Sequence, residues 1–116
     1  MKCILVIDDD PTIRVVIRVG LEEEGYQIVE LDSGTDAVEM IKSRPIDLVI
    51  LDIFMDGKEG IETLSEIREV SNKLPIIVMS SSTEFFDISK DLGADHTISK
   101  PIDFETLFPL VNKLLN

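Results

Sequence analysis

Residues 3–10 read CILVIDDD, an apolar run that ends abruptly in three aspartates. The part from Ile4 to Ile7 has no polar alternation, which is typical of a strand that is covered on both faces in a parallel sheet. Cys3 lies in the same run and is the only cysteine, so no intrachain disulfide can form and we expect a small buried side chain. The run therefore predicts a central strand that presents polar side chains at its carboxyl end, namely Asp8, Asp9 and Asp10.

Four further short runs of β-branched and apolar residues follow, with helix-period segments between them. The predicted strands are Ile28 to Leu31, Leu48 to Leu51, Ile76 to Met79 and a weaker Thr97 to Ser99. This alternation predicts one doubly wound α/β domain over residues 1–116, with a parallel sheet in the order 2-1-3-4-5 and helices on both faces. In such sheets ligands bind beyond the carboxyl ends of the strands.

Five helices are predicted from apolar spacing and from residues typical of helix ends. Pro109 lies inside the fifth, where it removes a backbone donor and should kink the helix or delay its start. The first helix has Pro11 in its first turn and stops at Gly25, the second opens at Ser33 or Gly34 and closes at Pro45, and the third runs from about Ile61 to Val70. The fourth runs from about Glu84 to Leu92, with Phe85, Ile88 and Leu92 on one side and Gly93 as its cap, and Asp103 caps the fifth.

The charge balance limits the classes of partner. Eleven Lys and Arg against 23 Asp and Glu give a net charge of −12, which opposes direct binding to nucleic acid or to anionic lipid and favours cations and basic partners. No apolar run approaches the roughly 20 residues needed to span a bilayer, so we expect a cytoplasmic protein without membrane contact.

Polar residues follow four of the five predicted strands directly. The three aspartates follow the first strand, Asp52 the third, Ser80 the fourth and Lys100 the fifth, so a parallel sheet brings them to one rim. Two carboxylates about 5 Å apart repel by roughly 3 kcal/mol at an effective dielectric of about 20, which calls for a counter-ion. Oxygen ligands in a small set favour Mg²⁺ or Mn²⁺ over Ca²⁺.

The same rim has the groups that phosphoryl transfer needs. Lys100 adds a positive charge and Ser80 a hydroxyl donor, so the rim can accept a phosphoryl group, with Asp52 as nucleophile and metal ligand. Simpler roles exist for each residue taken alone, such as a helix cap, a loop carboxylate or a solvated lysine. We assign the cap of the first helix to Asp10.

Four segments together resemble the receiver domain of bacterial two-component response regulators, the CheY-like family: CILVIDDDPTIR (3–14), DLVILDIFMDGKEGIE (47–62), LPIIVMSSS (74–82) and LGADHTISKP (92–101). The resemblance implies a flavodoxin-like fold and a switch that phosphorylates and dephosphorylates itself rather than a conventional turnover enzyme. It implies a histidine kinase or a phosphotransfer domain as donor, and a downstream protein that binds through the fourth helix, the fifth strand and the fifth helix.

The resemblance also implies a role for each residue of the rim. Asp9 would bind Mg²⁺ directly and Asp8 through water, the backbone carbonyl of Phe54 would complete the metal site, and Asp52 would accept the phosphoryl group. Ser80 and Lys100 would bind that group, with a cis peptide between Lys100 and Pro101.

Three positions matter because they depart from the family pattern or lie beside the acceptor. Met55 is followed by Asp56 and Gly57 where a proline is usual, which puts the rigidity of this loop in doubt. Thr97 occupies the position of the usual aromatic switch residue, so the signal would travel through the loop and the fourth helix. Phe54 beside the acceptor would restrict the attacking water and lengthen the life of the phosphoaspartate.

Two other functions remain open. Asp8, Asp10 and Thr12 form a DxDxT pattern that resembles the first motif of haloacid-dehalogenase-type phosphatases, with Asp8 as nucleophile and Asp10 as acid. Those enzymes usually have a longer chain and an insertion after the motif, whereas a helix begins here at once. The third candidate is a binding module with the receiver fold that is never phosphorylated, although its usual mark, loss of the acidic pair, the acceptor or the lysine, is not seen here.

Overall fold

The computed structural model describes residues 1–54 and 60–116. Its strands are β1 (Cys3–Ile7), β2 (Gln27–Leu31), β3 (Leu48–Asp52), β4 (Ile76–Ser80) and β5 (His96–Ser99). They form one parallel sheet in the order β2-β1-β3-β4-β5, so the predicted topology is confirmed. Each predicted strand is present and is longer by one residue.

The helices of the described residues alternate with the strands. They are α1 (Pro11–Glu23), α2 (Ala37–Ser43), α3 (Gly60–Val70), α4 (Phe86–Asp91), which a 3₁₀ turn at Thr83–Phe85 precedes, and α5 (Phe104–Leu115). The predicted helix stops Gly25 and Gly93 have φ values of +95° and +108°, a backbone conformation that residues with a Cβ rarely adopt. Among the described residues, no helix is both long and apolar enough to cross a bilayer.

The sheet divides the core into two layers because successive side chains of a strand point to opposite faces. Leu5 and Ile7 of β1 pack with α2 and α3 on one face. Ile4 and Val6 pack with α1 and α5 on the other. Strands β1, β3 and β4 are buried over their whole length, which fixes the register of the sheet and hence the place where each strand ends.

One predicted helix start is wrong, and the delay considered for another does not occur. The second helix begins at Ala37, not at Ser33 or Gly34, because Ser33 Oγ accepts a hydrogen bond from the backbone N–H of Thr35 and forms a separate turn. The fifth helix begins at Phe104 with Asp103 as its N-cap, as predicted, and Pro109 does not delay its start. Pro109 and Glu105, whose carbonyl loses its helical donor, are both exposed, so water can bind that carbonyl.

One of the three residues predicted to face the core from the fourth helix does not do so. Ile88 is 46% exposed, whereas Ser89 is fully buried and its Oγ donates a hydrogen bond to the Phe85 carbonyl. Ser89 can be buried because this hydrogen bond satisfies its hydroxyl within the helix. Phe85 and Leu92 do pack against the core.

Candidate functional site

The predicted polar residues meet at the carboxyl edge of the sheet. Ile7 of β1 pairs with Leu51 of β3, so Asp8 and Asp52 come next to each other at the ends of neighbouring strands. Ser80 ends β4, and Lys100 follows the last residue of β5. The convergence that was expected from the sequence is therefore confirmed.

Lys100 lies between two buried carboxylates. Its Nζ donates a hydrogen bond to Asp8 Oδ2 at 2.8 Å and lies 3.2 Å from Asp52 Oδ2. Burial disfavours the charged ammonium, but the hydrogen bond to Asp8 and the negative charges of Asp52 and Asp8 outweigh it and raise the pKa of Lys100. Lys100 therefore stays protonated and can bind an anionic group at the rim.

Asp52 is the most perturbed acid of the site. Its side chain is 3% exposed, and burial together with the charge of Asp8 raises its pKa from 3.8 to about 6. Lys100 and the backbone N–H of Phe54, which donates to Asp52 Oδ1 at 3.2 Å, act in the opposite direction but do not cancel the rise. A negative charge on Asp52 is therefore held at a cost in free energy, which a cation at this rim would lower.

Three carboxylates have the geometry of a metal site. Ligand oxygens of Asp8, Asp9 and Asp52 all lie within 4.8 Å of one another, and Asp9 is exposed at the mouth. Two of these acids, Asp8 and Asp52, share the ammonium of Lys100. An all-oxygen donor set with an open, water-accessible side fits Mg²⁺, which keeps several of its water ligands.

Asp10 does not belong to this cluster. Its Oδ1 accepts a hydrogen bond from the backbone N–H of Thr12 at 2.9 Å and caps α1, as predicted. Its own backbone N–H donates to Asp8 Oδ1 at 2.9 Å, which holds the Asp8 carboxylate in place. The two acids of the DxDxT pattern therefore have separate roles here, one in the cluster and one at a helix cap.

Ser80 and Phe54 flank Asp52. Ser80 is 1% exposed, its Oγ accepts a hydrogen bond from the Ser82 backbone N–H at 3.0 Å, and its carbonyl accepts from the backbone N–H of Lys100 at 2.9 Å. Phe54 is 48% exposed and its ring meets the edge of Phe85 with centroids 4.7 Å apart. Ser80 is thus tied to the residue that follows β5, while the Phe54 ring packs against Phe85.

The backbone beside Asp52 is fixed by a close approach of α3. A Cβ at Gly60 would lie 2.4 Å from the Asp52 carbonyl oxygen, so only glycine fits there without moving the acceptor segment. The Gly60 backbone N–H donates to the Ile53 carbonyl at 3.1 Å. The expectation for Met55, Asp56 and Gly57 lies outside the described residues. The peptide between Lys100 and Pro101 is cis, as the resemblance implied.

Arg14 is a contact of the site that the sequence did not reveal. Its Nη1 donates a hydrogen bond to the Asp8 carbonyl at 2.7 Å. Helical spacing placed Arg14 off the apolar stripe of the first helix, which indicates a solvent-facing side chain. Because the contact is to a backbone atom, no residue type in the pattern could have signalled it.

Comparison with known proteins assigns the family. The model of the response regulator receiver domain matches residues 4–112. The chain belongs to the receiver domains of two-component response regulators, and the fold described above is the fold of this class.

Individual relatives agree with this assignment. The response regulator TrrA from Thermotoga maritima, crystallised in complex with Mg²⁺-BeF, is 40% identical with a TM-score of 0.91, and the match covers 99% of this chain and 100% of that one. Sporulation initiation phosphotransferase F from Bacillus subtilis is 32% identical over 97% of this chain and 92% of its own length. The response regulator GtcR from Aneurinibacillus migulanus is 36% identical over 88% of this chain.

The relatives differ in length. The chain spans less than half of several curated relatives that it matches, 43% of GtcR among them. Others, such as TrrA and phosphotransferase F, match over nearly their whole length. Receiver domains similar to this one therefore occur both alone and within longer proteins.

Proposed function

We propose that Asp52 accepts a phosphoryl group from a phosphohistidine of a histidine kinase or of a phosphotransfer domain. The observation that carries this proposal is the pairing of a buried carboxylate, Asp52, with an ammonium 3.2 Å away at a rim where three acids crowd together. A carboxylate oxygen is a nucleophile, and the ammonium can bind the incoming phosphoryl oxygens.

The transfer exchanges one bond to phosphorus for another. An oxygen of Asp52 attacks the phosphorus in line, the bond to the donor nitrogen breaks, and the imidazole leaves with its electron pair and takes up a proton. Lys100 and the Ser80 hydroxyl bind the oxygens of the transferred group. Hydrolysis by water later returns the Asp52 carboxylate and inorganic phosphate, so the domain acts as a switch with its own timer.

The proposed cation is Mg²⁺, with Mn²⁺ as an alternative. Asp8, Asp9 and Asp52 would hold it together with the carbonyl of Phe54, and the Mg²⁺-BeF complex of TrrA supports the choice of metal. When bound, the cation neutralises negative charge on the acids and on the phosphoryl oxygens. Of the three acids, Asp9 is the exposed one and lies where water ligands of the metal would face solvent.

The signal would pass to a protein partner. Residues 1–116 are proposed to form one receiver domain in the cytoplasm, whose phosphorylation shifts the population of a second loop arrangement that a partner reads on α4, β5 and α5. With Thr97 in place of an aromatic residue, the shift would travel through the loop after β4 and through α4. The net charge of −12 argues against direct DNA contact by this domain itself.

Intact-mass measurement with a small acyl phosphate tests the proposal. Acetyl phosphate with Mg²⁺ should add one phosphate, roughly 80 Da, to the wild-type chain. Asp52→Asn should show no gain. Asp10→Asn, which changes an acid next to the cluster that only caps α1, should gain the phosphate like the wild type. A gain in Asp52→Asn equal to that of the wild type would refute the assignment, and a gain that is kept in Asp52→Asn but lost in Asp8→Asn would favour the phosphatase motif.

A further inference from the structure

Arg14 ties α1 to the acidic rim through a backbone atom. It lies in the first part of α1, its side chain is 18% exposed, and its Nη1 donates to the Asp8 carbonyl at 2.7 Å. Its Nε donates at the same time to Glu30 Oε1 on β2 at 3.2 Å. One planar guanidinium therefore joins the β1–α1 loop to the neighbouring strand.

The Asp8 carbonyl belongs to the peptide that leads into Asp9. The orientation of this peptide sets the direction in which the Asp9 side chain leaves the backbone relative to Asp8. The other side of Asp8 is also fixed, because its backbone N–H donates to the Leu31 carbonyl at 3.1 Å. The hydrogen bond from Arg14 therefore restrains the backbone that joins Asp8, which is fully buried, to Asp9, which is exposed at the mouth.

We infer that Arg14 is a positioning residue for the metal-binding carboxylates, and that it acts by fixing the peptide between Asp8 and Asp9. This inference rests on the proposed function, since it assigns Arg14 a part in cation binding at that site. Residues that orient metal ligands without touching the metal commonly change its affinity by about tenfold or more when they are replaced.

Charge and positioning predict opposite results for Arg14. The guanidinium brings positive charge toward the cation site, so loss of its charge alone would strengthen cation binding. Loss of its hydrogen bond to Asp8 would weaken binding because the acids would no longer be held in one arrangement. The sign of the change therefore separates the two effects.

Arg18 offers a matched control in the same helix. Its Nη1 also donates to the Glu30 carboxylate, and its Nε lies 3.8 Å from Glu22 Oε1. The hydrogen bond and ion pairs of Arg18 are with these two acids, whereas the Asp8 carbonyl is bound by Arg14. Replacing Arg18 removes an arginine of the same helix that also binds Glu30, but it leaves the hydrogen bond between Arg14 and the Asp8 carbonyl in place.

The test is the Mg²⁺ affinity of the unphosphorylated protein, followed by backbone amide chemical shifts during titration with MgCl₂. Arg14→Lys keeps the charge but cannot form both bonds of the guanidinium fork, and Arg14→Gln removes the charge as well. Both variants should bind Mg²⁺ about tenfold more weakly than the wild type. Arg18→Lys and Arg18→Gln should stay within about twofold of the wild type, and the amide spectra should show that all four variants are folded.

The outcomes are distinct. Wild-type affinity in Arg14→Lys, or tighter binding in Arg14→Gln, would overturn the positioning role while leaving the metal site intact. If Mg²⁺ binding were weakened equally in the Arg14 and Arg18 variants, the ion pairs with Glu30 would act only through the general stability of the protein. This result would also overturn the positioning role of Arg14. If the wild type itself gave no response to Mg²⁺, the proposed metal site would fail, and this inference with it.

Discussion

Replacing Asp52 by asparagine should stabilise the metal-free protein. In the wild type the carboxylate is buried beside Asp8, and its charge is only partly offset by Lys100 at 3.2 Å. Asparagine has nearly the same shape and keeps an oxygen that can accept the backbone N–H of Phe54. The substitution therefore removes an unfavourable charge without leaving a cavity.

The size of the effect follows from the pKa of Asp52. A rise from 3.8 to about 6 corresponds to about 3 kcal/mol, at about 1.4 kcal/mol per pH unit. Because the folded state binds the proton more tightly than the unfolded state, wild-type stability should fall as the pH rises from about 4 to about 6 and then stay level. The advantage of Asp52→Asn should be about 1 kcal/mol at pH 4.5 and about 3 kcal/mol above pH 7.

Urea unfolding between pH 4.5 and 8 in the presence of EDTA measures this difference. Asp32→Asn, which changes an exposed aspartate outside the cluster, is the control and should change stability by less than about 0.5 kcal/mol at every pH. Excess Mg²⁺ should stabilise the wild type more than Asp52→Asn and so reduce the gap, because the variant lacks one ligand. An Asp52→Asn protein that is no more stable than the wild type at pH 8, or a difference that does not depend on pH, would refute the reasoning.

Three further substitutions have defined outcomes. Lys100→Gln should destabilise the metal-free protein by about 3 kcal/mol in urea unfolding, because it leaves the buried carboxylate of Asp8 without its ion pair. Phe54→Asn should shorten the life of the phosphoryl group several-fold in a phosphate-release assay, because the bulk beside Asp52 no longer restricts water. Gly60→Ala should lower stability by about 2 kcal/mol, since its Cβ would lie 2.4 Å from the Asp52 carbonyl oxygen.

Each of these has a result that counts against it. Unchanged stability in Lys100→Gln, judged against Lys113→Gln in the last turn of α5, would mean that the ammonium does not offset the buried acids. An unchanged rate of phosphate release in Phe54→Asn would remove the role of this side chain in hydrolysis. Wild-type stability in Gly60→Ala would show that the acceptor segment yields without cost.

The sheet and the rim were predictable because they depend on the strongest signals in the chain. Unbroken apolar runs such as Ile4 to Ile7 can be satisfied only where both faces of a strand are covered. A parallel sheet then places every residue that follows a strand at one edge, so Asp8, Asp52, Ser80 and Lys100 meet without further information.

The helix details were less predictable because they depend on competing local hydrogen bonds. The start of α2 shifts because a serine side chain binds the backbone of the preceding turn. In α4 Ser89 is buried and Ile88 is exposed, and the Ser89 hydroxyl is satisfied by the Phe85 carbonyl. Apolar spacing does not register hydrogen bonds between a side chain and the backbone.

The contact between Arg14 and Asp8 shows a different limit. Its acceptor is a carbonyl, which every residue has, so no pattern of side chains marks it. The raised pKa of Asp52 likewise depends on burial and on the relative positions of Asp8 and Lys100, which only the folded chain defines. Sequence reasoning identified the groups of the site, and the structure shows how they are held.

Reductive trapping of the acyl phosphate tests the central claim most directly. The wild-type protein, treated with acetyl phosphate and Mg²⁺ and then with borohydride, should carry homoserine in place of Asp52, because borohydride reduces an aspartyl phosphate but not a free carboxylate. Tandem mass spectrometry should locate the change at residue 52 alone. Homoserine at position 8 or 10, or no conversion in protein that binds Mg²⁺, would contradict the account.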